Sequence, residues 1–409
     1  MTQRTPKQIV DDHESWRSRC INLIPSENVM SQRARSLLTS DMGHRYTLPG
    51  IKEMDGRLVE NAYRGTRYLD EVESLAADLA CETYGCEYAC VRPLSGHIAA
   101  MIAVNSVCSR GDGILAVEFA RGGYPGYDEE EMAGMLGLKV GFLPYDDLSG
   151  NLIYDPAAEL IGSSRPRATI VGASKMLFPP EISRIRGACD GAGSRLLYDA
   201  SHVLGLLAGG RFGDPFGEGA DLVYGSTHKT LFGPQGGIVL TNDGKIAESI
   251  EQGLHWKTLD NAHWNRIACL AQVLLEMKSF GQEYAEQLVS NSKALALALD
   301  RRGFPVQCGD RDYTESHQVG LDAGDVTAAL GYETFEEVAR RLEEADIIID
   351  CVGRLGTCEM TRFGMGKKEM GKIAELVTRL LIEGEDVASV RSSVNEFRTG
   401  FQKIHYAFD

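Results

Sequence analysis

No stretch of this sequence comes near the roughly 20 consecutive apolar residues that a membrane-spanning helix needs. Hydrophobic residues nevertheless make up 43% of its 409 positions, enough for a large buried core. Nor is there a cluster of Lys or Arg. The formal net charge is −16, so neither a nucleic-acid backbone nor an anionic membrane surface is expected as a partner. The polar start, Met1 to Asp12, lacks the apolar stretch of a signal peptide, and a cytoplasmic protein is expected. No low-complexity tract or internal repeat stands out. Cysteine is present but unframed: ten residues are scattered, and the one grouping, Cys81, Cys86 and Cys90, has no standard metal-ligand spacing. These read as free thiols packed like small hydrophobes, with neither a disulfide framework nor a metal site.

What is present alternates. A helix and an extended arm open the chain to about Met30, where Ile21-Asn-Leu-Ile-Pro25 ends at a helix breaker. Residues 41–66 are rich in Gly, Tyr and charge, without a period, and read as a long irregular segment of the kind that often carries function. Helical spacing runs from Leu69 to Tyr84 and closes at Gly85. Short β-rich apolar runs then alternate with helical ones: Ile114–Val117, Ala168–Gly172, Arg195–Tyr198, Leu222–Tyr224 and Gly237–Thr241. That pattern predicts an α/β fold with a mostly parallel sheet covered on both faces. A helix from Trp264 to about Phe280 leads to a second unit, with helices over 291–302, 334–344 and 368–381. The expected organisation is an N-terminal helix and arm (1–40), a large domain (41–280) and a small C-terminal domain (281–409).

The strongest motif is Tyr224-Gly-Ser-Thr-His-Lys229-Thr-Leu-Phe-Gly-Pro-Gln-Gly-Gly237, between two predicted strands. A lysine at a strand end, beside small hydroxyl residues and a glycine-rich turn, suits an amine that condenses with an aldehyde. Such an amine has to reach its neutral form near pH 7, which desolvation and nearby positive charge promote. Alone, it reads equally as a surface lysine beside a turn. Upstream, Tyr198-Asp199-Ala-Ser-His202 closes another apolar strand. A carboxylate there can pair with the ring nitrogen of pyridoxal phosphate, with His202 against the ring. The plainer readings are a helix cap and a core histidine. Pro93-Leu-Ser95-Gly96-His97 precedes a helix whose N-terminus can hold an anion, or is simply capped by Ser95. Arg121-Gly-Gly-Tyr124 offers an aromatic to stack on a ring, unless it is a surface loop. Gly353-Arg354-Leu-Gly-Thr offers a guanidinium for a carboxylate, unless it is a surface arginine.

Taken in order, these motifs resemble the serine hydroxymethyltransferase family. Leu23-Ile-Pro-Ser26-Glu-Asn28 is similar to that family's Leu-Ile-Ala-Ser-Glu-Asn. Gly122-Gly-Tyr124 is similar to its Gly-Gly-His, and Asp199-Ala-Ser-His202 to its Asp-X-Ala-His. Ser226 to Gly237 is similar to its Thr-Thr-His-Lys-Thr-Leu-Arg-Gly-Pro-Arg-Gly-Gly, and Arg354-Leu-Gly-Thr to its Arg-Ile-Gly-Thr. The resemblance implies pyridoxal-phosphate fold type I, with a seven-stranded sheet flanked by helices and a smaller α+β domain. It implies that Lys229 forms the Schiff base and Asp199 faces the ring nitrogen. Ser95, Gly96 and His228 would sit near the phosphate, with His97 and Ser226 completing that part of the site. Ser174 and His202 would lie by the ring's phenolic side, and Tyr124 would replace the stacking histidine. Arg354 and Ser26 would hold the substrate carboxylate. A homodimer is implied, with Tyr46 and Tyr63 as residues lent to the neighbouring subunit.

Two departures bear on activity. The family's Tyr-Ala-Glu-Gly, whose glutamate serves proton transfer in folate chemistry, is here Tyr46-Thr-Leu48-Pro. Glu53 or Glu60, in the longer segment Gly50 to Asn61, are substitutes for it. The stretch before the arginine strand, which helps hold the pterin, is shortened, so that Ile347–Val352 runs almost into Arg354. The expected activity is aldol-type cleavage or transfer at Cα–Cβ of serine or threonine, favouring threonine aldolase or transaldolase, with an aldehyde as co-substrate. The β-hydroxyl base is one of His97, Tyr124 and Glu60. The alternatives are a pterin- or folate-dependent hydroxymethyltransferase, an aminotransferase or desulfurase, and a non-catalytic binding protein of this fold.

Overall fold

A computed structural model describes residues 4–48, 61–146, 150–254 and 257–408. The chain forms two compact units: Val29–Ala285 with Tyr406–Asp409, and Met1–Asn28 with Glu286–His405. The larger unit is built on a seven-stranded sheet of β1 (Tyr88–Cys90), β2 (Gly113–Ala116), β3 (Lys139–Phe142), β4 (Ala168–Val171), β5 (Arg195–Asp199), β6 (Leu222–Ser226) and β7 (Gly237–Thr241). Their spatial order is β1-β7-β6-β5-β4-β2-β3. Strands β6, β5, β4, β2 and β3 run parallel, and β7 lies antiparallel to both neighbours. Every residue of β4, β6 and β7 is buried, as a sheet covered on both faces requires. The two strands absent from the sequence reading, β1 and β3, are the sheet's edges. There the residues are half exposed and the apolar signal is weakest.

Parallel strands end on the same side, so the loops after them gather at one edge. Asp199 ends β5 and Ser226 ends β6, with Lys229 three residues on. Gly172, just after β4, has φ +123° and would place a Cβ 2.3 Å from the Asp199 carbonyl oxygen. Only glycine lets the two strand ends lie that close. Helix α1 (Gly96–Val107) begins against β6, where a Cβ on Gly96 would stand 2.7 Å from the Ser226 Cβ.

In the other unit, Ile21–Asn22 pairs in parallel with Ile347–Ile348. Trp16 donates to Asp346 at 2.9 Å, and Arg398 Nε donates to the Cys20 carbonyl at 2.7 Å. The opening residues to Asn28, set apart as an arm in the sequence reading, are therefore built into this unit's core, with Ile21 and Leu23 fully buried. Gln318–Gly320 and Arg354–Gly356 form an antiparallel pair. Helices occupy Phe335–Glu343 and Lys367–Leu381.

One expected break does not occur. Helix α2 runs without interruption over Trp264–Asp300, through Ser290-Asn-Ser292, where the sequence suggests a new element. The polar side chains are satisfied internally: Asn291 donates to Thr361 Oγ1 at 2.9 Å and to the Met365 carbonyl at 2.8 Å, and Ser292 pairs with Thr357 at 2.8 Å. Buried polar groups that find partners cost little, so the helix continues. No helix among the described residues is long and apolar enough to cross a membrane, and all ten cysteines are free thiols.

Candidate active site

The gathered loop ends enclose a cavity of about 270 Å³. Its walls bring together Ser95, Gly96, His97, Tyr124, Ser174, Asp199, His202, Ser226, His228 and Lys229, joined by Ala100, Ala173 and Ser201. Residues spread over more than 130 positions of sequence thus converge on one space. Part of the wall is the start of α1. Ser95 caps it, its Oγ accepting from Ile98 N at 3.1 Å. The capping hydroxyl keeps its own proton for donation, and the first-turn N–H groups and helix dipole favour an anion.

Asp199, also in the wall, is only 6% exposed. Its Oδ1 accepts from Ser201 N at 3.0 Å and its Oδ2 from the Tyr127 hydroxyl at 2.8 Å. The local turn makes the aspartate rigid without capping a helix. Lys229 is half-buried in the wall, on the turn between β6 and β7. That turn is anchored from both sides: Thr227 Oγ1 donates to the Pro234 carbonyl at 2.6 Å, and Thr230 Oγ1 to the His202 carbonyl at 2.8 Å. The second bond ties the lysine turn to the loop after Asp199.

Tyr124 and His97 meet across the opening, with the phenol oxygen 2.7 Å from His97 Nδ1. Burial, and secondarily the charge of Asp199, raise the Tyr124 phenol above its ordinary value. The phenol stays protonated, and the direction of this bond follows the His97 tautomer.

Several relevant residues escape a sequence reading. Tyr127 and Tyr224 are buried in direct contact with each other beside Asp199. Tyr224 opens the lysine motif, but its proximity to Asp199 follows from the register of β5 against β6, which pairs those two residues. Arg266 lies in the first turn of α2, with its Nη1 2.4 Å from where a Cβ on Gly236 would stand. Its Nη2 donates to the Val91 carbonyl, while Nε and Nη1 have no hydrogen-bond partner among the described residues. Burial lowers it to about 10. An arginine inside an otherwise apolar helical run was the available signal.

Other expected site residues lie elsewhere. Tyr46 and Tyr63 pack on each other, ring centroids 4.9 Å apart, outside the cavity wall. The Tyr46 hydroxyl contacts Asp260, and that bond raises its phenol to about 12. Ser26 and Arg354 belong to the smaller unit. Arg354 donates through Nε to Asp350 at 2.8 Å. In the same unit Arg362, not singled out by sequence, is fully buried and donates to the His405 carbonyl at 2.5 Å. Glu53 and Glu60 lie outside the described residues.

Against known proteins, the serine hydroxymethyltransferase profile matches residues 3–377. Serine hydroxymethyltransferases from Methanothermobacter thermautotrophicus and Methanopyrus kandleri are each 38% identical over 98% of this chain and cover 95% and 94% of their own lengths. The chain belongs to the serine hydroxymethyltransferase family. A third family member, from Methanocella arvoryzae, is 39% identical over 95% of this chain and 92% of its own. Among solved structures, the L-threonine transaldolase of Pseudomonas fluorescens in its internal aldimine state superposes with a TM-score of 0.89. It is 26% identical and covers 98% of this chain and 93% of that one.

Family membership makes this chain a pyridoxal-phosphate enzyme of fold type I, of hydroxymethyltransferase or aldolase type, acting at the Cα–Cβ bond of an amino acid. The cavity fits that cofactor by its donor set. A helix N-terminus at Ser95 and Gly96 suits the phosphate, a buried carboxylate suits the ring nitrogen, and an amine stands between the strand ends. When bound, the cofactor supplies an electron sink for the charge left at Cα.

Proposed function

We propose that this chain breaks and re-forms the Cα–Cβ bond of a small β-hydroxy-α-amino acid, threonine in preference to serine, and passes the glycine unit to an aldehyde. Lys229 carries the cofactor, Asp199 holds its ring nitrogen, and Ser95, Gly96, Ser226 and His228 hold its phosphate end. Ser174 and His202 lie beside the ring's oxygen, with Tyr124 over its face. His97, its Nδ1–H donating to the Tyr124 oxygen and oriented by it, takes the β-hydroxyl proton on Nε2. Arg354 and Ser26 hold the substrate carboxylate.

One observation carries the choice of acceptor. Where the family's folate-linked glutamate stands, this chain has Leu48, an apolar side chain 4% exposed. It is pinned in place, its carbonyl accepting from Ala62 N at 3.0 Å. A buried leucine cannot move a proton. The second reading, pterin-dependent hydroxymethyl transfer from serine, is favoured by the higher identity to relatives named serine hydroxymethyltransferase, 38% against 26%.

The holoenzyme should release acetaldehyde from L-threonine, faster when an acceptor aldehyde is added and unchanged by tetrahydropterins. Serine–glycine exchange stimulated about tenfold or more by a reduced pterin would replace this reading with the second.

The working form is proposed to be a homodimer in which Tyr46 and Tyr63 serve the neighbour's cavity. The support is their position outside their own cavity wall, with Tyr63 43% exposed. Sedimentation at micromolar concentration should return twice the 44.7 kDa chain mass. A fully active monomer ends this assignment.

A further inference from the structure

We propose that Tyr127, backed by Tyr224, is a positioning residue that sets how tightly Asp199 holds the proton on the cofactor's ring nitrogen. The inference rests on the reading of Asp199 as the ring-nitrogen partner and goes beyond it. Three groups form a directed relay. Tyr127 donates to Asp199 Oδ2 at 2.8 Å, and because its one proton is committed there, its oxygen accepts from Tyr224. All three are deeply buried: Tyr127 is 1% exposed, Tyr224 0% and Asp199 6%. Tyr127 comes from the short turn Pro125–Tyr127 behind Tyr124, and Tyr224 from β6. Two different parts of the chain are thus spent on one carboxylate.

Burial first, and the charge of Asp199 second, push both phenols well above their ordinary range, so each remains a proton donor. A carboxylate that accepts from donors is a weaker base than the same carboxylate without them. In a low-dielectric interior the second phenol strengthens the donation of the first. Asp199 thus has both oxygens engaged, Oδ1 by Ser201 N and Oδ2 by this relay. The ring proton is shared less tightly, and the strength of the electron sink follows.

Among the described residues, the other titratable groups around the carboxylate are Tyr198, its neighbour on β5, Tyr124, whose ring stands edge-on to Tyr127 at 5.4 Å, and His97, His202, His228 and Lys229 in the cavity wall. None of them is changed by a Phe substitution at 127 or 224.

The test uses holoenzyme reconstituted with pyridoxal phosphate carrying nitrogen-15 in the ring, read by NMR across a pH series. Tyr127→Phe should raise the pH midpoint of the ring-nitrogen resonance by about one pH unit. Tyr224→Phe should move it in the same direction by less. The double variant leaves no phenol without a partner, so it guards against poor folding of Tyr127→Phe and should match its shift. An unchanged midpoint in Tyr127→Phe and the double variant, with Asp199→Asn still losing the protonated-ring signal, overturns the relay and leaves Asp199 in its role. An unchanged signal in Asp199→Asn overturns the reading of Asp199 and the relay with it.

Discussion

Lys229→Ala is expected to lower turnover at least about 10³-fold and to abolish the visible absorption of covalently held cofactor. The argument is one of position. Among the described residues, Lys229 is the only amine side chain in the cavity wall, on a turn held by Thr227 and Thr230 beside Asp199. No neighbour can take its place, because His97, His202 and His228 offer ring nitrogens that do not form a stable imine. Stability should change little, since the side chain is half-buried and its loss leaves the anchoring bonds of Thr227 and Thr230 intact. Steady-state rates and an absorption spectrum of the purified variant decide the matter. Turnover close to wild type would remove Lys229 from the chemistry.

Asp199→Asn is expected to lower turnover by roughly 10²–10³-fold while the protein still folds and binds cofactor. The amide keeps the shape and one acceptor oxygen, but it removes the negative charge that keeps a ring nitrogen protonated. The relay adds a structural cost. An amide nitrogen donates, so both contacts persist only if the Tyr127 hydroxyl reverses, accepting from the amide and donating to Tyr224, and two charge-assisted bonds become neutral ones. That costs about 1–2 kcal/mol. A urea unfolding curve measures the second effect, and kcat with threonine or serine measures the first. A variant with unaltered kcat would show that the carboxylate's charge does not matter to the reaction.

Much of the site was legible because its residues sit in short local motifs at strand ends. Asp199 closes an apolar run, Lys229 follows one by three residues, and Ser95-Gly96 precedes a helix. Hydrophobic period reports such places directly. The strands β2, β4, β5, β6 and β7 were visible for the same reason, and the edges β1 and β3 were not, since a half-exposed edge carries little apolar signal. The relay behind Asp199 was invisible. Tyr127 and Tyr224 are 97 residues apart, and each reads as an ordinary core aromatic. The continuity of α2 through Ser290-Asn-Ser292 was also hidden, because local propensity disfavours it and bonds to Thr357, Thr361 and Met365 restore it.

By itself, the order of residues determined the chemistry on offer: an amine, a carboxylate and a Ser-Gly turn before a helix, each on a recognisable local element. Tertiary structure decided which of them share a cavity and what stands behind each. Convergence depends on strand order and register, and those are set by pairing between segments distant along the chain, of which no local pattern carries a record.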